Sequence, residues 1–126
     1  MVIFDTNIII DHIRQIPGKD TPFKKLLREN PDENFAISVI SIQELYEGKS
    51  TKNESADKIL LATISPLKVF KYDYDTAQLA GEIARDSKAP IDFADAAIAA
   101  TSILNNARLY TLDKKDFSGI KELQLY

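Results

Sequence analysis

The sequence predicts a single doubly wound α/β domain with a central, mainly parallel sheet of four to five strands and helices on both faces. Three observations carry that expectation. Short apolar runs that read as strands alternate with segments of helical period along the chain. Several of these runs, such as Val2-Ile3-Phe4, are continuously apolar, as strands covered on both faces by crossover helices should be. At 126 residues the chain suits one domain spanning 1–126, with a core that needs neither disulfides nor a structural metal.

Val2-Ile3-Phe4 is the first strand. A helix follows, capped by Thr6 or Asn7 and carrying Ile8, Ile9, Ile10 and Ile13, and Pro17-Gly18 breaks it. Thr21-Pro22 sets a capping hydroxyl before a proline at the first helical position. Phe23, Leu26 and Leu27 form that helix's apolar stripe, and Asn30-Pro31 stops it. Phe35 to Val39 is the second strand, and Ser41-Ile42-Gln43-Glu44 fits a capping box opening a helix that Gly48 ends. Lys49 to Asn53 is a polar loop. Ala56, Ile59, Leu60, Thr63 and Ile64 have helical spacing, Pro66 closes their helix, and Leu67 to Phe70 is the third strand. Asp73 to Arg85 is helical, with Tyr74, Ala77, Ala80 and Ala84 on one face. Beyond Ala89-Pro90, Asp92 can cap an alanine-rich, almost wholly apolar helix to about Asn105, which should lie buried against the sheet. Leu109 to Leu112 is the fourth strand and Leu123 to Leu125 a short fifth. No repeat, low-complexity tract or linker divides the chain.

Composition removes several chemistries. With no cysteine there is no disulfide scaffold, thiolate zinc site or cysteine nucleophile, and a reducing cytoplasmic setting suits the chain. No apolar run approaches the roughly 20 residues that span a bilayer, and Met1 to Asp5 has no basic-then-apolar leader pattern. A net charge of −3 argues against a generic nucleic-acid coat protein, without excluding an enzyme with local basic patches. Lys24, Lys25 and Arg28, and Lys49 with Lys52, are such patches, read most simply as solvated faces. His12 has no second histidine and reads as a helix-surface residue. Ser38, Ser41 and Ser102 lack a nucleophile-elbow context, and the four glycines form no phosphate-cradling loop.

The acids remain. Asp5, Glu44, Asp95 and the Asp113/Asp116 pair each follow an apolar strand or open a helix. Singly, Glu44, Asp113 and Asp116 are explained by capping, and Asp95 equally by the helix dipole. Asp5 is different, because a lone carboxylate ending a central apolar strand is costly to desolvate. In an open α/β sheet such positions gather beyond the carboxyl ends of the strands. Converging carboxylates raise one another's pKa, and a hard divalent cation relieves the repulsion: Mg2+, with Mn2+ as the alternative, and not zinc with a single histidine available.

These residues resemble a known family. Val2-Ile3-Phe4-Asp5-Thr6-Asn7 resembles the opening motif of PIN-domain nucleases, and Ser38 to Leu45 their second acidic motif. Asp95 to Ala100 and Leu109 to Phe117 resemble the third and fourth. The motifs stand in family order over almost the whole chain. Small stand-alone members are mostly VapC-type ribonuclease toxins. The resemblance implies a PIN-like domain, a Mg2+-dependent endoribonuclease, a homodimer, an RNA substrate and a cognate antitoxin partner, with no membrane association. It implies Asp5, Glu44 and Asp95 as metal-binding and catalytic acids, with Asp113 or Asp116 as the fourth. Thr6, Asn7 and Thr111 match polar positions lining the family's site, and Asp92 stands one helical turn before the third motif. Two alternatives stay open: a phosphoacceptor receiver-like domain, against which Asp5 is followed by Thr6-Asn7 and the third strand leads into Lys71-Tyr72-Asp73, and a PIN-fold protein acting on other nucleic acid or as a binding scaffold.

Overall fold

In a computed structural model that describes residues 1–15 and 17–126, five parallel strands form one sheet in the order β3-β2-β1-β4-β5. The strands are β1 (Val2–Phe4), β2 (Phe35–Ser38), β3 (Lys68–Phe70), β4 (Arg108–Tyr110) and β5 (Gln124–Leu125). The helices are α1 (Thr6–Arg14), α2 (Pro22–Glu29), α3 (Val39–Glu47), α4 (Glu54–Ile64), α5 (Tyr74–Asp86) and α6 (Phe93–Leu104). The α/β expectation holds, with five strands and helices on both faces.

β1 is central and wholly buried because its neighbours cover both edges and alternate side chains feed two cores. Val2 and Phe4 point to the face packed by Ile8, Ile9, Phe23, Leu26 and Leu60 of α1, α2 and α4. Ile3 points to the other, with Ala36, Leu109 and the α6 residues Ile98 and Ala99. The chain winds outward from β1 through β2 to β3, then returns to β4 on the other side. The sheet therefore reverses direction between β1 and β4, where open α/β sheets form their binding crevice. A receiver-like domain has order 2-1-3-4-5 instead. Asp73, after β3, is exposed and caps α5 by accepting from Thr76 N at 3.0 Å, so it is not poised as a phosphoacceptor.

Several local expectations change. Asp5, not Thr6 or Asn7, caps α1, because its carboxylate reaches Thr6 N–H at 2.7 Å. β2 stops at Ser38, whose hydroxyl accepts from Ile40 N at 3.1 Å. The helix thus begins at Val39, and Ser41 and Glu44 sit inside it instead of forming a capping box. Lys49–Lys52 is a 3-10 turn, not a loop. On α5 the buried residues are Thr76 and Ala80, while Tyr74 is 81% exposed and Ala84 is exposed. His12 is no surface residue: it is half-buried, packs on Phe23 at 4.7 Å and shares a hydrogen bond of 2.8 Å with Thr21, the cap of α2.

α6 is buried from Ala96 to Ser102, as its composition predicts. Its two polar members cause no penalty, because Thr101 and Ser102 donate to the carbonyls of Ala97 and Ile98 four residues back. α6 ends in a Schellman motif: Asn106 has φ 49°, its N–H reaches Ile103 O, and Ala107 N–H reaches Ser102 O. That motif feeds the chain directly into β4.

Candidate active site

The crevice is built from the backbone outward. Asp5 follows the central strand at the switch point, and its N–H donates to Tyr110 O across the β1–β4 seam at 2.9 Å. Its carboxylate is buried and held at both oxygens: Oδ1 accepts from Thr6 N–H, and Oδ2 accepts from the Thr111 hydroxyl at 2.6 Å. Burial pushes the Asp5 carboxyl up; the Thr111 and Thr6 hydrogen bonds pull it down, and the charges of Glu44 and Asp116 add to the rise.

Thr111 is saturated. It donates to Asp5 and accepts from Asn7 Nδ2 at 3.2 Å and from Asp113 N–H at 3.0 Å. Asn7 Oδ1 accepts from Leu112 N–H at 3.2 Å, so Asn7 ties the first turn of α1 to the segment after β4.

Thr6 performs the matching task towards α3. Its hydroxyl lies 2.6 Å from Glu44 Oε1 and 2.8 Å from Ser41 Oγ. The carboxylate is the stronger acceptor for its single proton, which leaves a lone pair of Thr6 for the Ser41 hydroxyl. Ser41 and Glu44 are three residues apart and share one helix face, which the early start of α3 turns towards Asp5. Sequence reading singled out Glu44 but gave Ser41 only a capping role.

Asp95 occupies the first turn of α6, half-buried and without a hydrogen-bond donor among the described residues. Its pKa is pushed up to about 7, first by burial and then by the charges of Asp5, Asp116, Asp92 and Glu44. Asp116 is exposed on a 3-10 turn (Lys114–Phe117) anchored by the buried Phe117, and it is raised by desolvation and by Asp113 beside it. Asp116, not Asp113, lines a cleft with Asp95. Asp92 precedes α6 and lines the same cleft, but its side chain makes no capping bond.

Asp5 and Asp95 thus lie within Coulomb range of each other, and both lie within range of Glu44 and Asp116. None of them, nor Asp113, forms a salt bridge among the described residues. The expected shared pocket is looser than direct common ligation, however: among the described residues no three acid or histidine side chains are grouped closely enough to ligate one ion. Such an all-oxygen donor set suits a hard divalent cation and not zinc, which prefers histidine or thiolate ligands. Mg2+ keeps several waters and takes only one or two carboxylates, the rest of its shell coming from water and phosphate oxygen.

Two further surfaces bear on binding. An apolar groove of about 340 Å³ runs beside Glu44, lined by Ile10, Ile13, Leu45 and Ile59 with Arg14 and Lys49. The Lys24, Lys25 and Arg28 face of α2 is solvated, and Arg28 is paired with Asp20 at 2.7 Å. Among the described residues no helix is long and apolar enough to cross a membrane.

Comparison with known proteins agrees with this geometry. The PIN domain family profile matches residues 2–123. Ribonuclease VapC19 of Mycobacterium tuberculosis is 32% identical over 127 residues, covering 98% of this chain and 98% of that protein. The crystal structure of VapBC2 from Rickettsia felis, bound to a DNA fragment from their promoter, superposes with TM-score 0.86 at 28% identity, covering 99% of this chain and 96% of that one. DNA-bound VapBC from Salmonella typhimurium superposes with TM-score 0.84 at 26% identity, covering 99% of this chain and 96% of that one.

Proposed function

Because this chain belongs to the PIN-domain family and resembles a VapC ribonuclease along its length, we propose that it is a VapC-type endoribonuclease that hydrolyses RNA with a Mg2+ ion held at Asp5 and Asp95. One observation carries the site assignment: Asp5 and Asp95 are both raised by burial and by the charges of Glu44 and Asp116, and among the described residues none of the four forms a salt bridge.

A hard divalent cation bound there supplies Lewis acidity, polarising a phosphoryl oxygen and making water nucleophilic at neutral pH. The chain's own groups do the rest. Thr6 N–H and the Thr111 hydroxyl fix both oxygens of Asp5, so one orientation is set before any ligand arrives. Thr6 aims Glu44 at the same space, where its free oxygen can orient water or accept a proton. Asp116 is the fourth acid in this reading, and Asp113 holds the loop through its N–H bond to Thr111. Asn7 keeps α1 and that loop in register. In-line attack of water on phosphorus leaves 5′-phosphate and 3′-hydroxyl ends. No step uses a 2′-hydroxyl, so preference for RNA comes from contacts outside the acids. Mn2+ can replace Mg2+ in such an oxygen site.

The partner is an antitoxin protein, as in the VapBC complexes that share this fold, and the apolar groove beside Glu44 offers it a surface. The protein acts in the cytoplasm as a homodimer. The test is cleavage of mixed RNA and DNA with Mg2+ or chelator, followed by end mapping. Asp5→Asn should abolish RNA cleavage while leaving the fold intact; undiminished cleavage by that variant would remove the assignment.

A further inference from the structure

A cleft of about 250 Å³ opens where the segment before α6, the first turn of α6 and the 3-10 turn after β4 meet. Pro90, Asp92, Asp95, Lys115, Asp116 and Ser118 are among the residues that line it. Among the described residues, Lys115 is the only basic one that lines this cleft. It is exposed, and among the described residues it forms no ion pair, although three carboxylates line the same cleft. Its placement is not loose: Phe117, two residues on, is 2% exposed in the core with Ile98 and Leu109, and this anchors the turn that carries Lys115 and Asp116.

Resting on the ribonuclease reading, we infer that this cleft holds the nucleotide next to the scissile bond and that Lys115 is the positioning residue for its phosphate. An acidic site on a chain of net charge −3 repels a polyanionic strand, so approach needs a cation at the rim. An ammonium not already neutralised by a neighbouring carboxylate keeps its charge for the phosphate. A cleft of about 250 Å³ is too small for a helix or a duplex. Lysine binds phosphate as a compact point charge with rotatable donors, so the contact sets register along the strand without reading its sequence.

The test compares wild type with Lys115→Gln, Lys115→Arg and Lys58→Gln. Lys58 is a control on α4, across the sheet and paired with Glu54 at 3.4 Å. Cleavage of a short single-stranded oligoribonucleotide is followed with Mg2+ at several salt concentrations. Binding of the same fluorescein-labelled strand is followed by anisotropy in chelator. Lys115→Gln should raise KM about five- to tenfold with kcat nearly unchanged, as expected for loss of one charged contact. Its log–log salt slope for binding should be smaller than wild type by about 0.7, the contribution of one phosphate on a single strand. Lys115→Arg should restore both, and Lys58→Gln should match wild type. Normal cleavage with KM and salt slope unchanged in Lys115→Gln overturns this inference alone. Absence of RNA cleavage by wild type overturns the ribonuclease reading, and the anisotropy slopes then judge Lys115 separately. Absence of both RNA cleavage and RNA binding by wild type overturns both.

Discussion

Replacing Asp95 with asparagine should stabilise the metal-free protein while abolishing its activity. A carboxyl moved from 3.8 to about 7 favours its protonated form by about 4 kcal/mol if fully sheltered from solvent. Asp95 is only half-buried, so water screening reduces the realised effect to about 1–2 kcal/mol. The sign follows from linkage. A carboxyl raised on folding contributes stability that is fully present below about pH 4 and is lost as pH rises towards 7. Wild type should therefore weaken across that window more than Asp95→Asn, which has no charge to desolvate. At pH 8 in chelator the variant should melt about 3–8 °C higher, for a domain of this size. Mg2+ should reverse the order: at a hundredfold excess over its Kd it adds about 2.7 kcal/mol to a protein that binds it, and the variant should lose most of that gain. Thermal melts from pH 4.5 to 8, with and without Mg2+, measure both effects. A variant less stable than wild type at pH 8 in chelator, or one with the wild-type pH slope, would refute the claim that Asp95 is held against repulsion.

Other perturbations separate the roles within the site. Thr111→Val should cost about 1–3 kcal/mol in a denaturant melt, because it strands a buried Asp5 oxygen, Asn7 Nδ2 and Asp113 N–H. It also removes the hydrogen bond that lowers the Asp5 pKa, so the acid limb of the activity profile should move to higher pH; an unmoved limb counts against the contact. Asp116→Asn should lower kcat/KM at least tenfold more than Asp113→Asn, since only Asp116 lines the cleft with Asp95; equal losses would make the pair equivalent. Thr21→Ala should destabilise the fold by about 1–2 kcal/mol through the lost α2 cap and the lost His12 contact, with turnover at 25 °C unchanged.

Much of the fold was legible because its signals are local. Val2-Ile3-Phe4 reads as a buried strand from three consecutive apolar residues, and α6 reads as a buried helix from its alanines. Thr21-Pro22 marks a helix start through a hydroxyl and a fixed φ. The failures share one cause. Ser38 and Ser41 are both plausible caps, and only the end of β2 decides between them, because β2 runs to Ser38, the last residue it pairs with β3. Tyr74 and Ala84 fit a helical stripe by spacing, yet the α5–α6 packing selects the Thr76–Ala80 side. His12 looked solitary because its partners, Thr21 and Phe23, belong to the next helix.

The sequence by itself determined which acids could matter and where each stood relative to a strand end, since strand-then-helix order is written in periodicity and in the motifs around Asp5, Glu44, Asp95 and the Asp113/Asp116 pair. It did not determine that they meet. That depended on the strand order, which brings β1 beside β4 and puts the turn in winding direction at Asp5. It depended also on Thr6 and Thr111, two hydroxyls that convert sequence separations of 38 and 106 residues into hydrogen bonds of 2.6 Å. Distances of that kind are set by packing of the whole sheet, because no local preference of the chain measures the space between its ends.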